Sequence, residues 1–203
     1  FFPGGARDWT VATWLAGVAG SVLTRLPGGD TLLGMRLYTG LLVSGMALFA
    51  YFFLKGKMPA FLAFWGEILA ICLCWIPTTS LYNYLTFLLF LGGSVALYRG
   101  LIWRRRRLLL LAGALLGGSV LTRLPNITEC LLILAVFYYG RLTQRSRKEI
   151  AGDAGCCVAG FLVVFLAGFG VICLQFGPGA YGQMLNSLMG YQASDATYSP
   201  LSM

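Results

Sequence analysis

Apolar runs alternate along this chain with short polar or basic stretches. A membrane-spanning helix needs about 20 apolar residues, and six of the runs are interpreted as spans, some of them short. The predicted spans are Leu32–Leu54, Pro59–Ile76, Tyr84–Tyr98, Leu108–Leu121, Ile127–Tyr139 and Ala154–Phe176. An earlier run, Trp9–Leu26, is rich in glycine, alanine and threonine, so we expect it to lie on the membrane surface as a juxtamembrane helix.

Composition agrees with this pattern. Of the 203 residues, 58% are hydrophobic and 11% are charged, and the mean hydropathy is +0.78. Soluble domains average about 45–50% apolar and 25% charged residues. The fold class predicted is therefore all-α, a polytopic transmembrane helix bundle, with residues 1–203 forming one transmembrane domain. The chain starts at Phe1 without a methionine, and we expect it to be part of a longer protein.

Basic residues collect in three short stretches between the apolar runs. These are Lys55–Lys57, Arg104–Arg107 and Arg141–Lys148. Short cytoplasmic loops carry an excess of Lys and Arg, so we place all three in the cytoplasm and expect no nucleic-acid partner. Alternation then places residues 25–36, 77–83 and 123–129 outside, together with a polar segment, 177–203. The predicted location is a bacterial-type cytoplasmic (inner) membrane, with the active face extracytoplasmic.

One octapeptide, GSVLTRLP, occurs twice, at Gly20–Pro27 and Gly118–Pro125. Each copy ends an apolar run with an arginine on the predicted outer side, against the positive-inside bias. Arg25 and Arg123, together with Arg36, are therefore candidates to bind a lipid phosphate, because a guanidinium offers paired donors and stays charged. The alternative is that each side chain extends to the headgroups from a helix end.

Acidic residues supply the other candidates. Glu67 lies about half-way along a predicted span, where a carboxylate costs about 2.5–3.5 kcal/mol on insertion scales, so it pairs with a neighbour or contacts a substrate. Asp8 and Asp30 could bind a divalent cation or a sugar hydroxyl, or could cap helices. No metal site is predicted. The sequence lacks histidine, so carboxylates would do any acid or base chemistry.

The stretch from Tyr82 to Pro125 resembles the core of the GT-C integral-membrane glycosyltransferases. The resemblance rests on the phrase YRGL at Tyr98–Leu101, the basic turn after it, and the phrase GALLGGSVLTRLP that ends the next run. Asp8–Leu42 is similar to the outer juxtamembrane helix of that family and the helix after it. Protein mannosyltransferases and aminoarabinose transferases, which use polyprenyl-phosphate sugars, are of this type.

The resemblance implies transfer of a sugar from a polyprenyl-phosphate-linked donor to an acceptor on the extracytoplasmic face. The acidic catalytic residue of the family would precede Phe1, so no catalytic residue is assigned and residues 1–203 alone are expected to be inactive. The predicted substrate-binding residues, for carrier phosphate or sugar, are Arg123, Arg36, Arg25, Asn126, Asn83, Tyr82, Glu67 and Asp8. Two alternatives stay open: a non-enzymatic transporter or flippase-like subunit, and a polymerase or ligase of lipid-linked glycans.

Overall fold

The structure, a computed structural model, describes residues 10–73 and 82–186, and within these ranges its regular secondary structure is entirely helical. The all-α prediction is confirmed. The α-helices are α1 (Trp14–Thr24), α2 (Leu32–Leu54), α3 (Ala60–Leu73), α4 (Tyr82–Ile102), α5 (Arg106–Thr122), α6 (Leu134–Leu142) and α7 (Arg147–Phe176). A 3₁₀-helix, Leu124–Ile133, joins α5 to α6.

Three helices, α2, α4 and α7, are long and apolar enough to cross a membrane. Large apolar side chains are exposed on them, among them Leu33 at 79% and Leu174 at 88% of their surface. Apolar surface of this extent indicates contact with lipid or with another protein. The structure therefore supports a membrane protein with three candidate spans, whereas six spans stay a prediction.

Helices α4, α5 and α7 form the centre of the bundle, and α5 and α7 run parallel in close contact. Glycines permit this contact: a Cβ on Gly117 would lie 2.7 Å from the Phe161 carbonyl oxygen, and one on Gly160 would collide with the Leu110 carbonyl. Gly155, five residues before Gly160 on α7, has open space around its Cβ position. Close backbone approach, not glycine content alone, thus identifies the interface.

The two ends of the bundle differ in charge. At one end, Lys57 lies over the rings of Phe53 and Tyr98, and Arg145 donates to the Leu101 carbonyl. We call this the basic end, because all three basic stretches meet there. Arg123 lies at the opposite end. Arg123 and the basic stretches therefore lie at opposite ends of the described bundle, while the full alternation of loops and the assignment of the basic end to the cytoplasm stay predictions.

Several helix bounds differ from those predicted. Helix α4 begins at Tyr82, so Tyr82 and Asn83 belong to its first turn and not to a polar loop. Helix α7 begins at Arg147, well before Ala154, because Ser146 and Glu149 form a capping box that satisfies the first free N–H groups. The predicted span Ile127–Tyr139 is divided between the 3₁₀-helix and α6.

Candidate functional site

Arg123 follows the last residue of α5 in an extended conformation, with φ −159° and ψ 121°. This geometry turns the chain out of the helix and leaves the side chain exposed. Its guanidinium carbon lies 5.2 Å from the centroid of the Tyr82 ring at the start of α4. At this distance a cation is attracted by the face of the ring. Tyr82 therefore orients Arg123.

Arg123 lines a cleft of about 500 Å³ at this end of the bundle. The residues described around the cleft are Ala12, Thr13, Tyr82, Arg123, Leu124, Pro125 and Ile127. Among these, Arg123 is the only charged residue, and most of the others are apolar. Such a lining suits an amphiphile with an anionic group and an apolar body. The guanidinium can donate two parallel hydrogen bonds to the anionic group, and the apolar side chains can contact the apolar body.

A buried polar network holds the turn that carries Arg123. Asn126 Nδ2 lies 2.9 Å from the Ser119 carbonyl oxygen, 3.0 Å from Ser119 Oγ and 3.0 Å from Thr86 Oγ1. The Ser119 hydroxyl in turn donates to Glu129 Oε2 over 2.7 Å. Asn126 is 8% exposed. Its buried side chain therefore fixes the turn after α5, which carries Arg123, to α4 and α5.

Sequence reasoning predicted Asn126 of this network as a site residue but missed Thr86, Ser119 and Glu129, and of these Glu129 is the charged one. It is half-buried and connects the 3₁₀-helix to α5 through Ser119. The signal was present in the sequence, because Glu129 is a lone acidic residue at the head of an apolar run. A carboxylate in that position needs a polar partner, and Ser119 of the repeated octapeptide supplies it.

An apolar cluster supports the cleft on the side of α7. It contains Val11, Leu121, Ile172, Ala180 and Met184, each at most 5% exposed, and Leu124 packs against it. Tyr181 also packs there, and burial raises the pKa of its phenol. This side of the site is therefore apolar.

Arg25 and Arg36 do not line the cleft. Both are exposed, Arg25 just after α1 and Arg36 in the first turns of α2. Asn83 is half-buried beside Tyr82 and also lies outside the lining. Of the predicted substrate-binding residues, the structure brings Arg123 and Tyr82 together and buries Asn126 in the turn that carries Arg123.

Glu67 belongs to a different place. It lines an apolar groove of about 450 Å³ between α2, α3 and α4, where Ser94 is the other polar residue among the lining residues that the structure describes. The part of α4 that borders this groove, Phe87–Ser94, lies roughly 8–18 Å along the helix axis from Tyr82 at a rise of about 1.5 Å per residue. In residues 10–73 and 82–186, Glu67 forms no ion pair.

No group of three or more potential metal ligands occurs within the part of the chain that the structure describes. Asp30 is exposed in the turn before α2, and Asp8 lies outside the described residues. Comparison with family models, with curated proteins and with solved structures finds no match for this chain.

Proposed function

We propose that this chain belongs to a membrane glycosyltransferase that takes a sugar from a polyprenyl-phosphate-linked donor and passes it to an acceptor on the extracytoplasmic face. One observation carries the proposal: in the described part of its lining, the cleft combines the exposed Arg123 with mostly apolar side chains, at the end of the bundle opposite the basic end. A polyprenyl phosphate has the matching parts, an anionic group and a long apolar chain.

In this proposal Arg123 binds the carrier phosphate. Its charge also stabilises the phosphate that leaves when the bond to the anomeric carbon breaks, which is the kind of developing charge that preorganised donors favour. Tyr82 orients the guanidinium, and the Asn126 network fixes the backbone on which Arg123 stands. The resemblance also implies an acidic residue that activates the acceptor hydroxyl, and no residue of this chain is assigned to that role.

The test is the apparent donor constant of the full-length enzyme, measured for wild type, Arg123→Lys and Arg123→Ala at equal expression. A charge-assisted hydrogen bond is worth about 1.5–3 kcal/mol, so Arg123→Ala should lower the affinity for the sugar donor about ten- to hundred-fold. Arg123→Lys should lower this affinity by an intermediate amount, because lysine keeps the positive charge but lacks the paired donors of the guanidinium.

Arg25→Ala provides the matched control for this test. Arg25 occupies the same position in the identical octapeptide but does not line the cleft. Its donor constant should stay close to that of wild type. Equal constants for wild type and both Arg123 variants would refute the phosphate role and leave Arg123 as a helix-end anchor.

The groove around Glu67 favours a second candidate function, a transporter or flippase-like subunit. A carboxylate at mid-depth in an apolar groove is the arrangement expected along the path of an ion or a cationic amphiphile. Glu67→Gln separates the two candidates. A transporter would lose uptake of its substrate with this variant, whereas the transferase would keep its donor constant, since Glu67 lies far from the Arg123 cleft.

A further inference from the structure

A polar cavity lies at the basic end, between the turn after α4 and the first turns of α7. It measures about 140 Å³ and is lined by Arg104, Arg106, Arg145, Glu149 and Asp153. These residues come from two of the three basic stretches and from the start of α7. The cavity therefore forms only when α4, α5 and α7 are packed together.

Arg145 is the fixed element of this cavity. Its side chain is 6% exposed; Nη1 lies 3.1 Å from Asp153 Oδ2, and Nη2 donates to the Leu101 carbonyl oxygen over 2.7 Å. The Tyr139 ring lies 5.1 Å from its guanidinium carbon. Its Nε is buried and has no hydrogen-bond partner within the described residues. Its two Nη groups are already engaged by the protein, and they fix Arg145 at the wall of the cavity.

Both carboxylates of the lining already have partners. Asp153 pairs with Arg145 and lies 3.7 Å from Nε of Arg106. Glu149 Oε2 accepts hydrogen bonds from the Ser146 amide and hydroxyl. Three arginines thus face two carboxylates, and Arg104 forms no ion pair in the part of the chain described.

The surrounding charges increase this positive excess. Arg105, Arg107, Arg147 and Lys148 are all exposed at the same end. Gly152 of α7 lets Arg106 lie against the helix, since a Cβ there would come within 3.2 Å of an Nη atom of Arg106. Arg106 therefore lies against α7 beside the cavity, and the other exposed basic residues add positive charge around it.

We propose that this cavity binds a phosphate group at the basic end, as a site separate from the Arg123 cleft. Its volume exceeds that of a few waters, which occupy about 30 Å³ each in the liquid. Arginine presents paired donors that match phosphate oxygens. The phosphate is that of an anionic lipid headgroup or of a free phosphate compound, since the same chemistry recognises both. The site does not depend on the proposed transferase activity.

The experiment uses the purified full-length protein and two probes. Native mass spectrometry measures the affinity for phosphatidylglycerol, with zwitterionic phosphatidylcholine as reference, and thermal unfolding measures stabilisation by inorganic phosphate. We expect Arg104→Gln and Arg106→Gln each to weaken binding of the responding probe about three- to ten-fold, because each removes charge-assisted hydrogen bonds. Both residues are exposed, so folding should be preserved.

Arg107→Gln and Arg147→Gln are the matched controls. Each removes the same charge at the same end, from an exposed residue that does not line the cavity, and should change affinity less than about two-fold. A response to the lipid alone would place the phosphate in a headgroup, and a response to both probes would indicate a free phosphate ligand. Equal losses in controls and cavity variants, or no loss in either, would overturn the proposal.

Discussion

Asn126 Nδ2 lies 3.0 Å from Thr86 Oγ1, which ties the turn after α5 to the first turns of α4. Both residues are 8% exposed. The same Nδ2 group also donates to the carbonyl and hydroxyl oxygens of Ser119 in the last turn of α5. Because a buried polar network is stabilising only when its members are all satisfied, the position of Arg123 depends on residues that do not touch the cleft.

The repeated octapeptide allows one substitution to be made twice in the same local sequence. Ser119 is fully buried and donates a hydrogen bond to Glu129, whereas Ser21 is exposed and its hydroxyl donates within α1, to the Val18 carbonyl. Ser119→Ala should lower the free energy of unfolding by about 1–3 kcal/mol, since it strands buried partners. Ser21→Ala should change it by less than about 0.5 kcal/mol. Thermal unfolding in detergent measures both, and equal effects would contradict a structural role for the network.

Glycines of α7 offer a second matched pair. Gly160→Ala places a methyl group against the Leu110 backbone and should destabilise the protein by about 1–3 kcal/mol. Gly155→Ala enters open space and should be neutral or stabilising by up to about 1 kcal/mol, because alanine is the better helix former. Unfolding midpoints of the two variants check this. A tolerated Gly160→Ala would mean that α5 and α7 are not in close contact.

The ion pairs at the basic end should differ widely in strength. Arg145→Met removes the buried partner of Asp153 and the donor to the Leu101 carbonyl. We expect it to lower the free energy of unfolding by about 3–5 kcal/mol. Arg106→Met removes a pair at 3.7 Å from a side chain that is 65% exposed, for which we expect at most about 1 kcal/mol. Chemical or thermal unfolding distinguishes them. Similar small losses would show that Arg145 is not needed to join α4 to α7.

Topology is tested by cysteine labelling in a background without the six native cysteines. A cysteine in place of Thr128, which is exposed at the Arg123 end, should react with an impermeant maleimide in intact cells. One in place of Arg105, at the basic end, should react only after the membrane is permeabilised, because basic loops stay in the cytoplasm. Labelling after solubilisation shows that both are reactive. The reverse pattern would refute the proposed extracytoplasmic site.

Much of the helical framework follows from sequence alone. The bounds of α2 were predicted to the residue, because Thr31 and the basic stretch Lys55–Lys57 enclose a run that is apolar except for Arg36 and a few small polar residues. The start of α7 was missed, although its signal, Ser146 followed three residues later by Glu149, is local and readable. The cleft, in contrast, depends on contact between Tyr82 at the start of α4 and Arg123 after the end of α5. No pattern in the sequence indicates that these two residues meet.

The two copies of GSVLTRLP separate what sequence and tertiary structure each decide. In both, the sequence by itself ends a helix at the threonine, Thr24 or Thr122, with a proline three residues on. Beyond that point the copies diverge: Arg25 keeps a helical conformation with φ −84° and ψ −11°, while Arg123 is extended. Only the second copy packs inside the bundle, where Ser119 and Asn126 must find polar partners. Burial makes those partners obligatory, and their positions on other elements set the direction of the chain.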